Sequence, residues 1–170
     1  AEAFRQKFIT YSFLLVQDTN SGSVAAELVQ EGSLRDVIVK LVGKLKRHFL
    51  CKTVEFWTMD ESNDTYSKYS PKNGDFGNFT NYSGIVSQAF KNRVQINCPN
   101  VMKHPDYNSE IDGDVSTSAL IQPIDVDGQL FAVVLRGKES SSQFSTYDEI
   151  QLSSFSPLIG RTLSLTFSLG

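Results

Sequence analysis

Lys138, Phe144, Asp148 and Glu149 are the residues of this 170-residue chain whose types and spacing most resemble chemistry. An apolar run, Leu130–Leu135, leads to the lysine, and a helix-like run from Ile150 to Phe167 follows the two carboxylates. Carboxylates in a first helical turn complement the positive end of the helix dipole. Ser145, three residues before Asp148, forms a capping-box pattern with Asp in place of the preferred Glu. Lys138 can fold back onto Asp148 and tie strand to helix. The four residues therefore read as a structural clasp. If exposed, such an ion pair would contribute only about 0–1 kcal/mol.

Asp112 is the second chemically suggestive residue. It sits in a stretch from 99 to 115 that has no clear period and carries His104-Pro105-Asp106. Long irregular segments inside compact domains serve as lids or binding loops. A carboxylate there can accept hydrogen bonds from a ligand's N–H groups; a solvated loop aspartate is the plain alternative. His48 and His104 have no cysteine cluster near them, so no metal site is expected. Ser140-Ser141-Ser142 has no positioned base and reads as a turn. Gly84 opens no phosphate-cradling motif. Cys51 starts a strand and is expected to be a buried thiol, while Cys98 precedes Pro99 at a strand end. Two cysteines imply no disulfide framework, and the expected compartment is the reducing cytoplasm.

These residues must be held by a fold that the periodicities outline. A composition of 40% apolar and 21% charged residues is that of one globular domain. The net charge of −3 argues against nucleic acid. The basic cluster Lys40, Lys44, Lys46, Arg47 and His48 suits the end of a helix. No run is long enough to span a membrane. The chain begins with Ala, which suggests a piece of a longer protein. Residues 1–30 read as an N-terminal helical segment, and 31–170 as the main domain. Leu34, Val37, Ile38, Leu41, Val42, Leu45 and Phe49 follow helical spacing after an N-cap at Ser33. The period then changes to two over Thr53–Met59, and Thr65–Tyr69 returns as a second strand. A polar loop runs to Ser83, which caps a short helix, Gly84–Lys91. Val94, Ile96 and Cys98 form a third strand. Ala119–Val126 and Gln129–Leu135 flank Asp127-Gly128, a strong hairpin signal. Pro123 belongs at an edge or bulge. The terminal helix turns Ile150, Leu152, Phe155, Ile159 and Leu163 inward, and Pro157 should kink or interrupt it. The order predicts an α+β fold, a central antiparallel sheet flanked by helices.

Over residues 31 to 167 the chain resembles a GAF domain of the phosphodiesterase type. Ser83-Gly84-Ile85-Val86-Ser87-Gln88-Ala89-Phe90-Lys91-Asn92-Arg93 is similar to the family's glycine, apolar pair, short helix and turn. Ile96-Asn97-Cys98-Pro99-Asn100, then His104-Pro105-Asp106-Tyr107-Asn108, Asp112 and Leu120-Ile121-Gln122-Pro123 resemble its central motifs. Lys138, Phe144, Asp148 and Glu149 keep the spacing of its last motif, with Gly137 where the family has asparagine. The phenylalanine–aspartate pair that reads a purine has no counterpart, Tyr69-Ser70 being the nearest.

The resemblance implies a GAF/PAS-like fold and a ligand held between the sheet and the long loop. Tyr69, Ile85, Val86, Asn108, Asp112 and Ser116 would line that pocket. It implies a non-catalytic sensor within a larger signalling protein, fused to an output domain and able to form a homodimer through its terminal helices. The ligand would be a cyclic nucleotide or another small organic molecule. The alternative is a dimerisation module whose pocket is filled by its own side chains. Methionine-sulfoxide-reducing GAF proteins need reactive cysteines in the covering loops, where Cys98 stands alone. Neither cysteine sits in the cysteine–histidine pair of covalent bilin attachment.

Overall fold

The computed structural model describes residues 34–81, 84–139 and 143–169. The expected helices at 3–17 and 24–30, and the caps at Ser33 and Ser83, lie outside them. Helix α1 (Leu34–Phe49) comes first, then strands β1 (Cys51–Asp60), β2 (Thr65–Ser70) and β3 (Asp75–Phe76), and helix α2 (Ile85–Asn92). Strand β4 (Ile96–Cys98), a 3-10 turn (Val101–Lys103) and helix α3 (Ser109–Asp112) follow. The hairpin β5 (Ala119–Val126) and β6 (Gln129–Lys138) leads to helix α4 (Thr146–Leu169). The six strands form one antiparallel sheet in the order β3-β2-β1-β6-β5-β4, which is the α+β class the sequence predicts.

The two helical periods and the strand alternation build two cores, one on each face of the sheet. On one face α1 and α4 cover Phe56, Leu120, Ile124, Phe131, Val133 and Leu135. On the other, α2 and the segment after β4 cover Trp57, Met59, Ile121, Leu130, Ala132 and Val134. The central strands β1 and β6 are therefore buried on both sides, and successive residues such as Phe56 and Trp57 belong to different cores. The basic residues Lys46, Arg47 and His48 stand in the last turn of α1, as the dipole favours. Leu50 then ends that helix with φ +52°, and its carbonyl accepts the Glu139 N–H at 2.8 Å.

Asp127 and Gly128 turn the β5–β6 hairpin with φ values of +51° and +91°, the left-handed pair a two-residue hairpin needs. Pro123 lies beyond the stretch of β5 that pairs with β4, where a missing N–H breaks no ladder. Gly160 brings α4 close to β5: a β-carbon there would stand 2.5 Å from the Ile124 Cγ2 and 2.8 Å from that of Val126.

Three expectations need correction. Helix α4 runs through Pro157 without interruption; the Ser153 carbonyl, denied its helical N–H by the proline, accepts the Ser156 hydroxyl at 2.8 Å instead. Ile150 points outward and is 59% exposed, while Phe144, just before the helix, fills the core. Strand β3 is a two-residue element inside the stretch read as a polar loop. Phe76 there stacks edge-on against Tyr69 and Phe167.

Candidate functional site

The sheet face under α2 and α3 carries a buried cluster of charge. Glu55 is on β1 and Arg136 on β6; the register pairs Thr53 with Arg136 and Glu55 with Val134. Alternation thus puts both charged side chains on one face, diagonal to each other. Arg136 Nε donates to Glu55 Oε2 at 2.9 Å, and Nη2 donates to Glu55 Oε1 and the Ile111 carbonyl, both at 3.3 Å. Trp57 Nε1 donates to Glu55 Oε1 at 3.1 Å, and Lys68 Nζ lies 3.6 Å from Oε2. Burial alone would raise the Glu55 pKa. The Arg136 charge and hydrogen bonds, joined by Lys68 and Trp57, outweigh it and hold the group below its ordinary value.

Asp112 closes the cluster from above. It ends α3, and its side chain has no exposed surface. Its Oδ2 accepts the Asn108 N–H at 2.9 Å and the Ile85 N–H at 3.2 Å, tying the covering segment to the first turn of α2. Gly84 permits the approach, since a β-carbon there would stand 2.9 Å from Asp112 Oδ2 and 3.0 Å from Ile111. The other oxygen, Oδ1, lies 3.9 Å from Arg136 Nη2, beyond hydrogen-bond range. Burial raises the Asp112 pKa, against the pull of the two N–H groups and of Arg136.

Two buried polar atoms of opposite character are left without partners here: Asp112 Oδ1, an acceptor, and Arg136 Nη1, a donor. Unmade hydrogen bonds at buried groups cost about 1–3 kcal/mol each, more when charged. A water or a ligand with both an acceptor and a donor would satisfy them.

The residues expected to line a pocket are only partly brought together. Ile85 and Val86 lie in the core under the covering segment, and Asp112, at the end of α3, reaches down from that segment to the Ile85 N–H. Asn108 is beside them, but its side chain caps α3 by accepting the Glu110 N–H at 2.9 Å. Ser116 is exposed on the approach to β5. Tyr69 is on the opposite face, in the core under α1 and α4; Lys68 faces the charged cluster, so strand alternation sends its neighbour the other way. Glu55 and Arg136 were not singled out from the sequence. Their signal was there: each is a charge set among buried apolar residues of a strand, and the two signs are opposite. Joining them requires the β1–β6 register, which sequence spacing does not supply.

Lys138 and Asp148, read from the sequence as a clasp, form a buried pair rather than an exposed one. Lys138 Nζ donates to the Phe49 carbonyl at 2.7 Å and lies 3.1 Å from Asp148 Oδ2, with side-chain exposures of 11% and 9%. The pair is buried, so the small value for an exposed pair does not apply. Ser145 and Asp148 exchange both bonds of the capping box, at 2.9 and 3.1 Å. Phe144 lies beneath the ammonium at 5.7 Å. Glu149 turns to the edge strand and accepts from Asn97 Nδ2 at 2.7 Å. Gly137 has φ +74°, a conformation that glycine and asparagine adopt most readily, so the backbone accommodates that exchange.

The thiols are not placed for chemistry. Cys51 is in the core under α1 and α4, and Cys98 is in the opposite one. Burial pushes the Cys51 thiol up to about 11 and raises that of Cys98, so both are protonated at neutral pH. Among the described residues no group of three His, Cys, Asp or Glu side chains could hold a metal, and no helix is long and apolar enough to cross a membrane.

No family model matches the chain, and no curated protein matches it. Solved structures do. The GAF domain of a phosphoenolpyruvate-protein phosphotransferase from Coxiella burnetii is 18% identical, with a TM-score of 0.61 over 84% of this chain and 87% of that one. Free methionine-R-sulfoxide reductase from Neisseria meningitidis, in complex with its substrate, is 16% identical, with a TM-score of 0.61 over 94% and 92%. The GAF domain of a two-component sensor histidine kinase from Bacillus halodurans is 19% identical, with a TM-score of 0.55 over 78% and 94%. At these identities the likeness is one of architecture: the chain has the GAF fold.

Proposed function

We propose that this domain is a non-catalytic sensor within a larger cytoplasmic signalling protein, binding a small molecule between the sheet and the segment that carries α3. One observation carries this reading. Asp112 Oδ1 and Arg136 Nη1, a buried acceptor and a buried donor, both lack partners beneath that segment. Ligand binding there would bear on α2, because Asp112 also holds the Ile85 N–H. A ligand shifts an equilibrium only through different affinities for two states, and the link from Asp112 to α2 supplies a part that can differ. The GAF domains of a sensor kinase and of a phosphotransferase, similar in fold, are consistent with a regulatory role and a fused output domain. Both thiols being buried supports the absence of thiol catalysis.

The test is thermal shift of the chain against cyclic nucleotides, other nucleotides and amino acids. A saturating shift is expected for one class; at a hundred times Kd, binding stabilises by about 2.7 kcal/mol. Asp112→Ala should abolish it. A shift that survives this substitution refutes the placement of the site.

The second reading is a homodimerisation module with a filled pocket. The close packing of Ile85, Ala132 and Val134, all at 0% exposure, favours it. It forecasts no ligand shift and a dimer by sizing. Leu165, 51% exposed on α4, is the residue to charge; Leu163 is core.

A further inference from the structure

We propose that the outer edge of β4, with the groove beside it under α4, docks an extended segment of a partner protein. That segment carries a cation among apolar residues and joins the sheet as a seventh strand. The groove lies on the opposite face of the sheet from the charged cluster and works independently of it.

β4 ends the sheet order, and among the described residues it pairs with β5 alone. An edge strand presents a row of N–H and C=O groups that template another strand. Edges are commonly blunted by charged side chains, yet the chain carries none from Val94 to Asn100. The opposite edge differs: β3 is two residues long and opens on the exposed Asp75. β4 itself pairs over only three residues, so an added strand gains few main-chain bonds and needs side-chain contacts as well.

Helix α4 supplies them. Gln95 and Asn97, two residues apart, share the α4 face. Gln95 Nε2 donates to the Glu149 carbonyl at 2.9 Å and to Ser153 Oγ at 3.2 Å, and Asn97 Nδ2 donates to Glu149 Oε2 at 2.7 Å. These bonds hold the first turns of α4 over the edge strand. Gln95, Glu149, Ile150, Ser153 and Ser154 line an open groove of about 490 Å³ there. Ile150 is exposed, as is Tyr147 three residues earlier on the same side of the helix. They offer apolar contact to alternate side chains of an added strand, which is how such docking gains specificity. Glu149 is the one charged residue in the lining. Asn97 Oδ1, on the carboxamide that serves Glu149, is a buried acceptor without a partner. A lysine or arginine complements both. A second copy of this chain would instead bring another Glu149 to the same seam, so the occupant is a foreign strand.

The experiment is display selection of random peptides on the full 170-residue chain, followed by fluorescence anisotropy of the best binder. The expected binder alternates apolar residues and carries a lysine or arginine. N-methylation at single positions along it should weaken binding about tenfold at every second residue and little at those between, because a strand bonds to an edge through alternate residues. Ile150→Arg, at an exposed position, should abolish binding and leave Tm unchanged. Glu149→Gln should weaken it about threefold and flatten its dependence on salt. A selection that enriches no peptide overturns the inference. So does a methylation pattern without the period of two, or binding that survives Ile150→Arg. A dimer by sizing that Ile150→Arg splits would make a second copy the occupant, and overturns it too.

Discussion

Replacing Arg136 by methionine should expose how the buried cluster is balanced. The guanidinium makes two hydrogen bonds to Glu55, with side-chain exposures of 9% and 15%. Breaking a buried ion pair from one side costs about 3–5 kcal/mol, because the remaining charge is left uncompensated. Here the lower end applies. Lys68, 3.6 Å away, and the Trp57 indole still face Glu55. About 3 kcal/mol is expected, out of a total of about 5–15 for a domain, or roughly 6–12 °C in Tm. The pH dependence carries the sign. In the native protein the Glu55 pKa lies below its ordinary 4.5. Its contribution is present above that value and is lost as pH falls through the folded-state pKa. Without Arg136, burial dominates and the folded-state pKa rises above the unfolded one. The variant's Glu55 then loses stability as pH rises. The gap between the two proteins should be widest near neutral pH and narrow as pH falls toward 4.5. Urea unfolding at a series of pH values measures it. Glu55→Gln added to Arg136→Met should recover part of the loss. A gap below about 1 kcal/mol, or one that does not change with pH, would refute the reasoning.

Other substitutions test the surroundings. Gly84→Ala should destabilise by about 1–3 kcal/mol through contact with Asp112 and Ile111, although its extended backbone suits any residue; thermal unfolding reads this. Gly160→Ala should also destabilise, since the clash with Ile124 and Val126 exceeds the gain of about 1 kcal/mol in helix propensity. An alanine there that stabilises the protein would mean that α4 sits farther from β5. Lys138→Met should cost about 3 kcal/mol by leaving Asp148 buried beside the Phe49 carbonyl, whereas Arg93→Met, in an exposed pair with Glu61, should stay within about 1 kcal/mol. Ellman's reagent should leave Cys51 and Cys98 unreacted in the native chain at pH 8 and titrate both after denaturation.

The sequence carried the local grammar of this fold well, and the non-local geometry poorly. Helix α1, the alternation in β1 and the Asp127-Gly128 hairpin were legible because each is specified within a few residues. Strand β3 was not, since two residues have no period and Phe76 is half-buried against Tyr69 and Phe167 from elsewhere in the chain. Ile150 was assigned inward by its type, but Phe144 occupies the core at that end of α4. At the candidate site, Ile85, Val86 and Asp112 came from a resemblance in motif. Tyr69, implied by the same resemblance, lies on the opposite face of the sheet, because the period of two turns it away from its neighbour Lys68. Glu55 and Arg136 stand 81 residues apart, and only the antiparallel register brings them together.

The most direct measurement is a nitrogen-15 NMR titration of the chain with whichever small-molecule class gives the saturating thermal shift, following the amides of Ile85 and Asn108 and the Arg136 side chain. Both amides donate to Asp112, so a ligand that engages its other oxygen must change their environment. Saturable shifts at these positions, lost in Asp112→Asn, are the predicted result. Shifts confined to the groove between β4 and α4, near Gln95 and Ser153, or no shifts at all, would contradict the account.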